Sequence, residues 1–147
     1  MTPSIPASPP VHATRIVLGS AVAKRLIDAC EAKADAEGWK MAIAVADDGA
    51  HLKQFTRMDG AFLVSVEIAQ LKAQTCARVP NTSREWGEFS KDELGLELVP
   101  GMVSFAGGLP IFIRGQHVGG LGVSGGTADQ DEACAQAGLD AIAELLI

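Results

Sequence analysis

The order of apolar patterns along this chain predicts an α+β fold, a central antiparallel sheet flanked by helices. Three observations carry that prediction: an apolar stripe at fourfold spacing between Ser20 and Glu37, pairs of short extended runs joined by turn residues, and a closing segment from Thr127 that opens like a capped helix. A parallel α/β sheet would need strands and helices to alternate, and they do not.

Each element has its own justification. Val22, Leu26, Cys30 and Ala34 recur every fourth residue, Ala23 and Ile27 widen the stripe, and Gly38 supplies the stop, so Ser20–Glu37 reads as an amphipathic helix. "WKMAIAVAD" (Trp39 to Asp47) is β-like, "DDGA" has turn chemistry, and "HLKQFTRM" (His51 to Met58) returns as the second strand of a hairpin. Asp59-Gly60 ends that strand. Ala61 to Arg78 contains no Gly or Pro and predicts a second long helix, ended before Pro80. Asn81 to Gly101 mixes a short helix with loop, and its Trp86 and Phe89, three apart, are spaced to close a pocket. After Pro100-Gly101, "MVSF" and "LPIFIRGQHVGGLGVS" supply two or three strands, with Arg114-Gly115-Gln116 as a hairpin loop. The last helix, Thr127 to Leu146, begins with Thr127 and Gln130 in capping-box spacing and with Asp129, Asp131 and Glu132 where a helix dipole favours anions.

Gly120, Gly122 and Gly125 spell GxGxxG at the junction of a strand with that helix. A dinucleotide-binding turn would need a parallel strand after the helix, carrying an acidic residue about twenty positions on, and here only one helix remains before the chain ends. The glycines therefore have another purpose. Period two puts Val118, Gly120 and Gly122 on one face of the strand, which leaves room for a close-packed helix or for a ligand; both readings stay open.

With 147 residues, 48% of them hydrophobic, the chain suffices for one domain, expected over 16–147 behind a flexible proline-rich arm at 1–15. A net charge of −6, with no basic cluster larger than Lys24-Arg25, argues against nucleic acid as a partner. No apolar run is long enough to span a bilayer, and the N-terminus has neither the basic nor the apolar region of a secretory signal, so no membrane partner and a cytoplasmic location are expected. Cys30, Cys76 and Cys134 are odd in number and far apart, which fits buried thiols better than disulfides, and no HExxH or paired-cysteine pattern offers a metal site. The positive mean hydropathy and glycine-rich hairpin predict uncovered apolar surface, hence a symmetric homo-oligomer.

"VADDGAHL" (Val45 to Leu52), "RMDGA" (Arg57 to Ala61), "AGGLPI" (Ala106 to Ile111) and "GGLGVSGGTADQDEACAQAG" (Gly119 to Gly138) together resemble the haem-binding-protein/GlcG family, which includes the C-terminal domain of PduO-type proteins. The resemblance runs from about Ile16 to the end of the chain. It implies a profilin-like domain, assembly from dimers up to octamers, and a small-molecule ligand, with haem as the cofactor to test. Some relatives resemble lyases that release ammonia from 4-hydroxylaminobenzoate.

The candidate residues follow from chemistry and resemblance together. Arg57 can clamp a carboxylate, Asp59 can cap the helix or move a proton, and Gly60 completes "RMDGA". Gly107, Gly108, Gly120 and Gly122 are expected to line a ligand site, with Trp86 closing it and Lys72 supplying a charge if its helix face turns inward. Asp131 and Glu132, beside the glycine strand, are with Asp59 the candidate acids of a lyase. Haem finds no evident axial ligand: His12, His51 and His117 sit in an arm or after turns, there is no CxxCH, and the chain has no tyrosine. Three functions remain: a binding protein for haem or a compact aromatic or carboxylate-bearing molecule, a carbon–nitrogen lyase, and an interaction module without a ligand.

Overall fold

The structure, a computed structural model, describes residues 1–146. It contains helices α1 (Ser20–Glu37), α2 (Leu63–Arg78), α3 (Ser83–Asp92) and α4 (Ala128–Asp140), and strands β1 (Ala42–Asp47), β2 (Leu52–Arg57), β3 (Gly108–Ile113) and β4 (Gln116–Ser124). Short 3₁₀ turns follow α3 at Leu94–Leu98 and α4 at Ala143–Leu145. The four strands form one sheet in the order β2-β1-β4-β3, every pairing antiparallel, so the expected α+β architecture is the observed one. Among the described residues no helix is long and apolar enough to cross a membrane.

Local chemistry sets the boundaries. Gly38 ends α1 in the left-handed conformation, its N–H returning to Ala34 and Asp35. Thr127 and Gln130 form a complete capping box at α4, each side chain accepting from the other's backbone N–H. Of the two or three strands expected after Pro100-Gly101, two form: 102–107, with "MVSF", has neither helix nor strand, and β3 begins only at Gly108. There Val103 N–H bonds Thr75 Oγ1 and Gly108 N–H bonds Ser83 Oγ, so side chains of α2 and α3 take donors that a strand partner would otherwise have taken. The β3–β4 turn is tighter than expected, Arg114 and Gly115 alone, both at positive φ.

Two unlike layers cover the sheet. Ile43, Val45, Leu109, Ile111, Leu121 and Val123 meet Leu26, Ile27 and Cys30 of α1 and Cys134 and Ala135 of α4 in the main core. On the opposite face Ala42, Ala44 and Ala46 meet Ala69, Ala73 and Ala77 of α2. Gly122 pairs with Ala44 and Gly120 with Ala46, so both glycines belong to the α2 face. The sequence placed Val118 with them, and the structure does not. Ile111 pairs with Gly119 but Phe112 with His117, so Val118 is the extra residue of a β-bulge and joins the main core on the other face.

Candidate functional site

Ser65, Ala69, Lys72, Ala73 and Cys76 are buried along α2 at spacings of three and four, the stripe that faces the sheet. Lys72 is thus carried inward, fully buried, into a row of small residues. Its Nζ donates to Asp131 Oδ2 at 2.8 Å and to the Val123 carbonyl at 2.8 Å, and it lies 5.1 Å from the centroid of the Phe105 ring. Asp131, in the first turn of α4, is 3% exposed and accepts the Gly126 N–H at 2.8 Å on its other oxygen. Burial holds the Lys72 ammonium below the ordinary lysine range and raises the Asp131 carboxyl, while the pairing opposes both shifts. The two groups are therefore closer in proton affinity than a lysine and an aspartate in water. One turn on, burial pushes the Cys76 thiol up to about 12, which keeps it neutral and poorly nucleophilic.

Gly107 closes over this pair. Its φ is +125°, and a Cβ there would stand 2.5 Å from Lys72 Nζ and 2.6 Å from the Val123 carbonyl, so any other residue would be strained and would displace the ammonium. Asp131 also lines a cleft of about 240 Å³ whose walls include Phe62, Ser65, Ile68, Phe105 and Ser124. A second cleft of about 280 Å³ adjoins it, sharing Phe62, Gly125 and Gly126 and reaching Trp39, Lys40 and Gly60. The rims are apolar and open to solvent: Phe62 is 68% exposed and Phe105 46%.

The structure brings some sequence candidates together and separates others. Lys72, Asp131 and Gly107 form one cluster, and Gly60 lies in the adjoining cleft. Gly120 and Gly122 do not line a ligand site. A Cβ on Gly120 would come within 2.1 Å of the Ala73 carbonyl and one on Gly122 within 2.1 Å of the Ala69 carbonyl, so the close approach of α2 uses the space. Gly108 has the same role, its added Cβ meeting Cys76 Sγ at 2.8 Å and the Lys72 carbonyl at 2.9 Å. Glu132 is tied on the surface to Arg84, Nε to Oε2 at 3.1 Å, in a group with Asp129. Arg57, at the end of edge strand β2, and Asp59, in the following turn, are both exposed. Trp86 is half-buried on α3 and is not among the residues lining either cleft. Phe62, Phe105, Ser65 and Ser124 were missed by the sequence. Lys72 had a readable signal, since it occupies the buried register of an otherwise alanine- and serine-rich helix face.

A haem would find apolar walls here but no axial donor. The residues lining the clefts include no His, Cys, Met or Tyr. His12 and His51 are exposed, and His117 Nε2 is held 2.6 Å from the Cys76 carbonyl. The residues lining the two clefts of a single chain thus include none of the usual ligands to haem iron.

Comparison with known proteins places this geometry in context. The family model described as "Haem degrading protein HbpS-like" matches residues 18–140. Protein GlcG of Escherichia coli K12 is 33% identical over 112 residues, covering 76% of this chain and 84% of GlcG. The crystal structure of the Klebsiella pneumoniae protein ORFY superposes with a TM-score of 0.87 at 30% identity, over 94% of this chain and 99% of ORFY. A PduOC–haem complex superposes with a TM-score of 0.80 at 27% identity, over 86% of this chain and 95% of that one.

Proposed function

This chain belongs to the HbpS-like family, and from that premise we propose that it is a small-molecule-binding protein that takes a compact aromatic ligand into the cleft between Phe62 and Phe105. One observation carries the proposal: two exposed aromatic rings flank an apolar cleft that reaches Asp131, the buried partner of Lys72. A contiguous exposed apolar patch marks a surface that something covers, and for its aromatic rings stacking on a flat ligand is one way to do so. Haem belongs to this reading through the family and through the PduOC–haem complex. A cleft of about 240 Å³ lies below the common range for drug-sized ligands, so a macrocycle would need the adjoining cleft or a second copy of the chain. Self-association is part of the same reading, because Leu63 and Val64, 82% and 58% exposed, extend the apolar rim. The cytoplasmic location expected from the sequence goes with it.

The lyase alternative gains no support from its candidate acids. Glu132 is held by Arg84 and Asp59 lies on an exposed turn, neither lining the clefts, and Asp131, paired with the Lys72 ammonium, is a carboxylate with no proton of its own to give a leaving group.

The test is a pair of titrations, hemin followed by its absorbance and uncharged benzamide followed by quenching of tryptophan emission, Trp39 lining the adjoining cleft. Saturable binding of either ligand is expected, weakened about tenfold, or ~1.4 kcal/mol, in Phe105→Ala. Binding that is unchanged in both Phe62→Ala and Phe105→Ala would remove the cleft from consideration. Native mass spectrometry of the same samples should show a closed homo-oligomer, and a monomer alone at micromolar concentration would refute self-association.

A further inference from the structure

The ligand-binding reading makes no use of the amine itself, and the amine has unusual surroundings. Lys24, Lys33 and Lys91 hold exposed ion pairs within their own helices, and Lys40 is exposed beside the adjoining cleft. Lys72 is different in being fully inside, with a carboxylate at 2.8 Å and an aromatic ring over it. As a stabilising device the pair is a poor choice, since apolar residues of similar volume commonly serve a core as well or better than a buried ion pair. A desolvated amine beside a carboxylate able to take and return its proton is instead the arrangement that makes lysine a nucleophile toward carbonyl carbon.

Access comes from the Phe105 side. The segment carrying Phe105 is anchored through the Val103 and Gly108 N–H groups, and between those anchors the ring stands 46% exposed over the ammonium. Phe105 lines the cleft with Asp131 and its ring centroid stands 5.1 Å from Nζ, so rotation of this one side chain is the movement the reaction would require. The walls select the partner. Phe62, Ile68 and Phe105 are apolar, Ser65 and Ser124 carry hydroxyls that can bond a carbonyl oxygen, and Asp131 repels an anion.

We propose that Lys72 forms a Schiff base with a small uncharged carbonyl compound, an aromatic aldehyde or ketone, with Asp131 as its proton carrier. The proposal rests on the cleft being a ligand site. Lys72 passes a proton to Asp131 Oδ2, the free amine adds to the carbonyl carbon, and its nitrogen loses a second proton to the alkoxide. Asp131 then returns its proton to the carbinolamine hydroxyl, water leaves, and a protonated C=N bond to Nζ remains. Ammonium plus carbonyl gives iminium plus water, with Asp131 regenerated as carboxylate.

The test is reductive trapping of the folded chain with benzaldehyde and sodium cyanoborohydride, read by peptide mass mapping. Lys72 should be benzylated about tenfold faster than Lys40, as a desolvated amine requires, and at saturating benzaldehyde, where the weaker binding no longer limits, Phe105→Ala should label at least as fast as the parent. Asp131→Asn should slow labelling of Lys72 by about a hundredfold while leaving Lys40 unchanged, the usual size of a lost acid–base partner. Should that variant not fold, the parent and Phe105→Ala decide. Labelling of Lys40 with Lys72 untouched in both, their circular dichroism native, overturns the proposal. Benzamide binding without Lys72 labelling removes only this inference. Absence of both removes the cleft reading with it, and protection of Lys72 by benzamide supports the two together.

Discussion

On one face of the sheet, Ile43, Val45, Leu109, Ile111, Leu121 and Val123 interleave with α1 and α4 through large side chains. On the other, Ala42, Ala44, Ala46, Gly120 and Gly122 give α2 almost no side chain to rest on, and the helix backbone settles against the strand backbone. Successive residues of the same strand, Leu121 and Gly122, are therefore governed by opposite rules. The first face gains its stability from volume and loses it when volume is removed. The second has no volume to lose and none to spare. What it gains is proximity, because α2 lies close enough for the Lys72 ammonium to reach the Val123 carbonyl and Asp131 beyond it.

The comparison breaks most visibly at the ion pair, which the close-packed face makes reachable. Lys72→Met should cost about 3–5 kcal/mol in urea unfolding because it leaves Asp131 charged and buried, whereas Lys72→Met with Asp131→Leu should recover most of that loss. A double variant as unstable as the single one would show that the site is valued for shape and not for charge. On the large-residue face, Leu121→Ala should cost about 2–5 kcal/mol from lost burial and the cavity left behind. One residue further along, Gly122→Ala reverses the sign of the volume change and should cost about 1–3 kcal/mol, since the added methyl meets the Ala69 carbonyl and only a shift of α2 relieves it. If Gly122→Ala were neutral while Leu121→Ala were not, the packing described for α2 would be wrong.

These contrasts also show what the sequence could reveal. Helix and strand order was legible because it depends on periodicity and on local signals such as Gly38 and the Thr127–Gln130 box. The alternation in β1, small at Ala42, Ala44 and Ala46 and large at Ile43 and Val45, was equally open to reading. The bulge at Val118 was not. It depends on how β3 and β4 register, and it moved one apolar residue to the other face. Of the site, Asp131 and Lys72 were named from sequence, but their meeting across 59 positions is a tertiary fact, as is the approach of Phe105 from a segment that looked like a strand. Gly120 and Gly122 were read as making room for a helix or a ligand and were counted among the ligand-site residues, and the occupant of that room is α2.

The bulge carries a consequence for how the length of this hairpin can change. Between the Arg114-Gly115 turn and Val118, an added or removed residue can be absorbed by erasing or moving the bulge, since the strand has one surplus position there. From Gly119 to Ser124 there is no surplus. A single deletion in that stretch exchanges odd for even, turning Leu121 and Val123 toward the α2 backbone and the glycines into the main core. Insertions and deletions in this hairpin should therefore be tolerated singly before the bulge and only in pairs after it, a rule of parity that a scanning library of one- and two-residue length variants would expose.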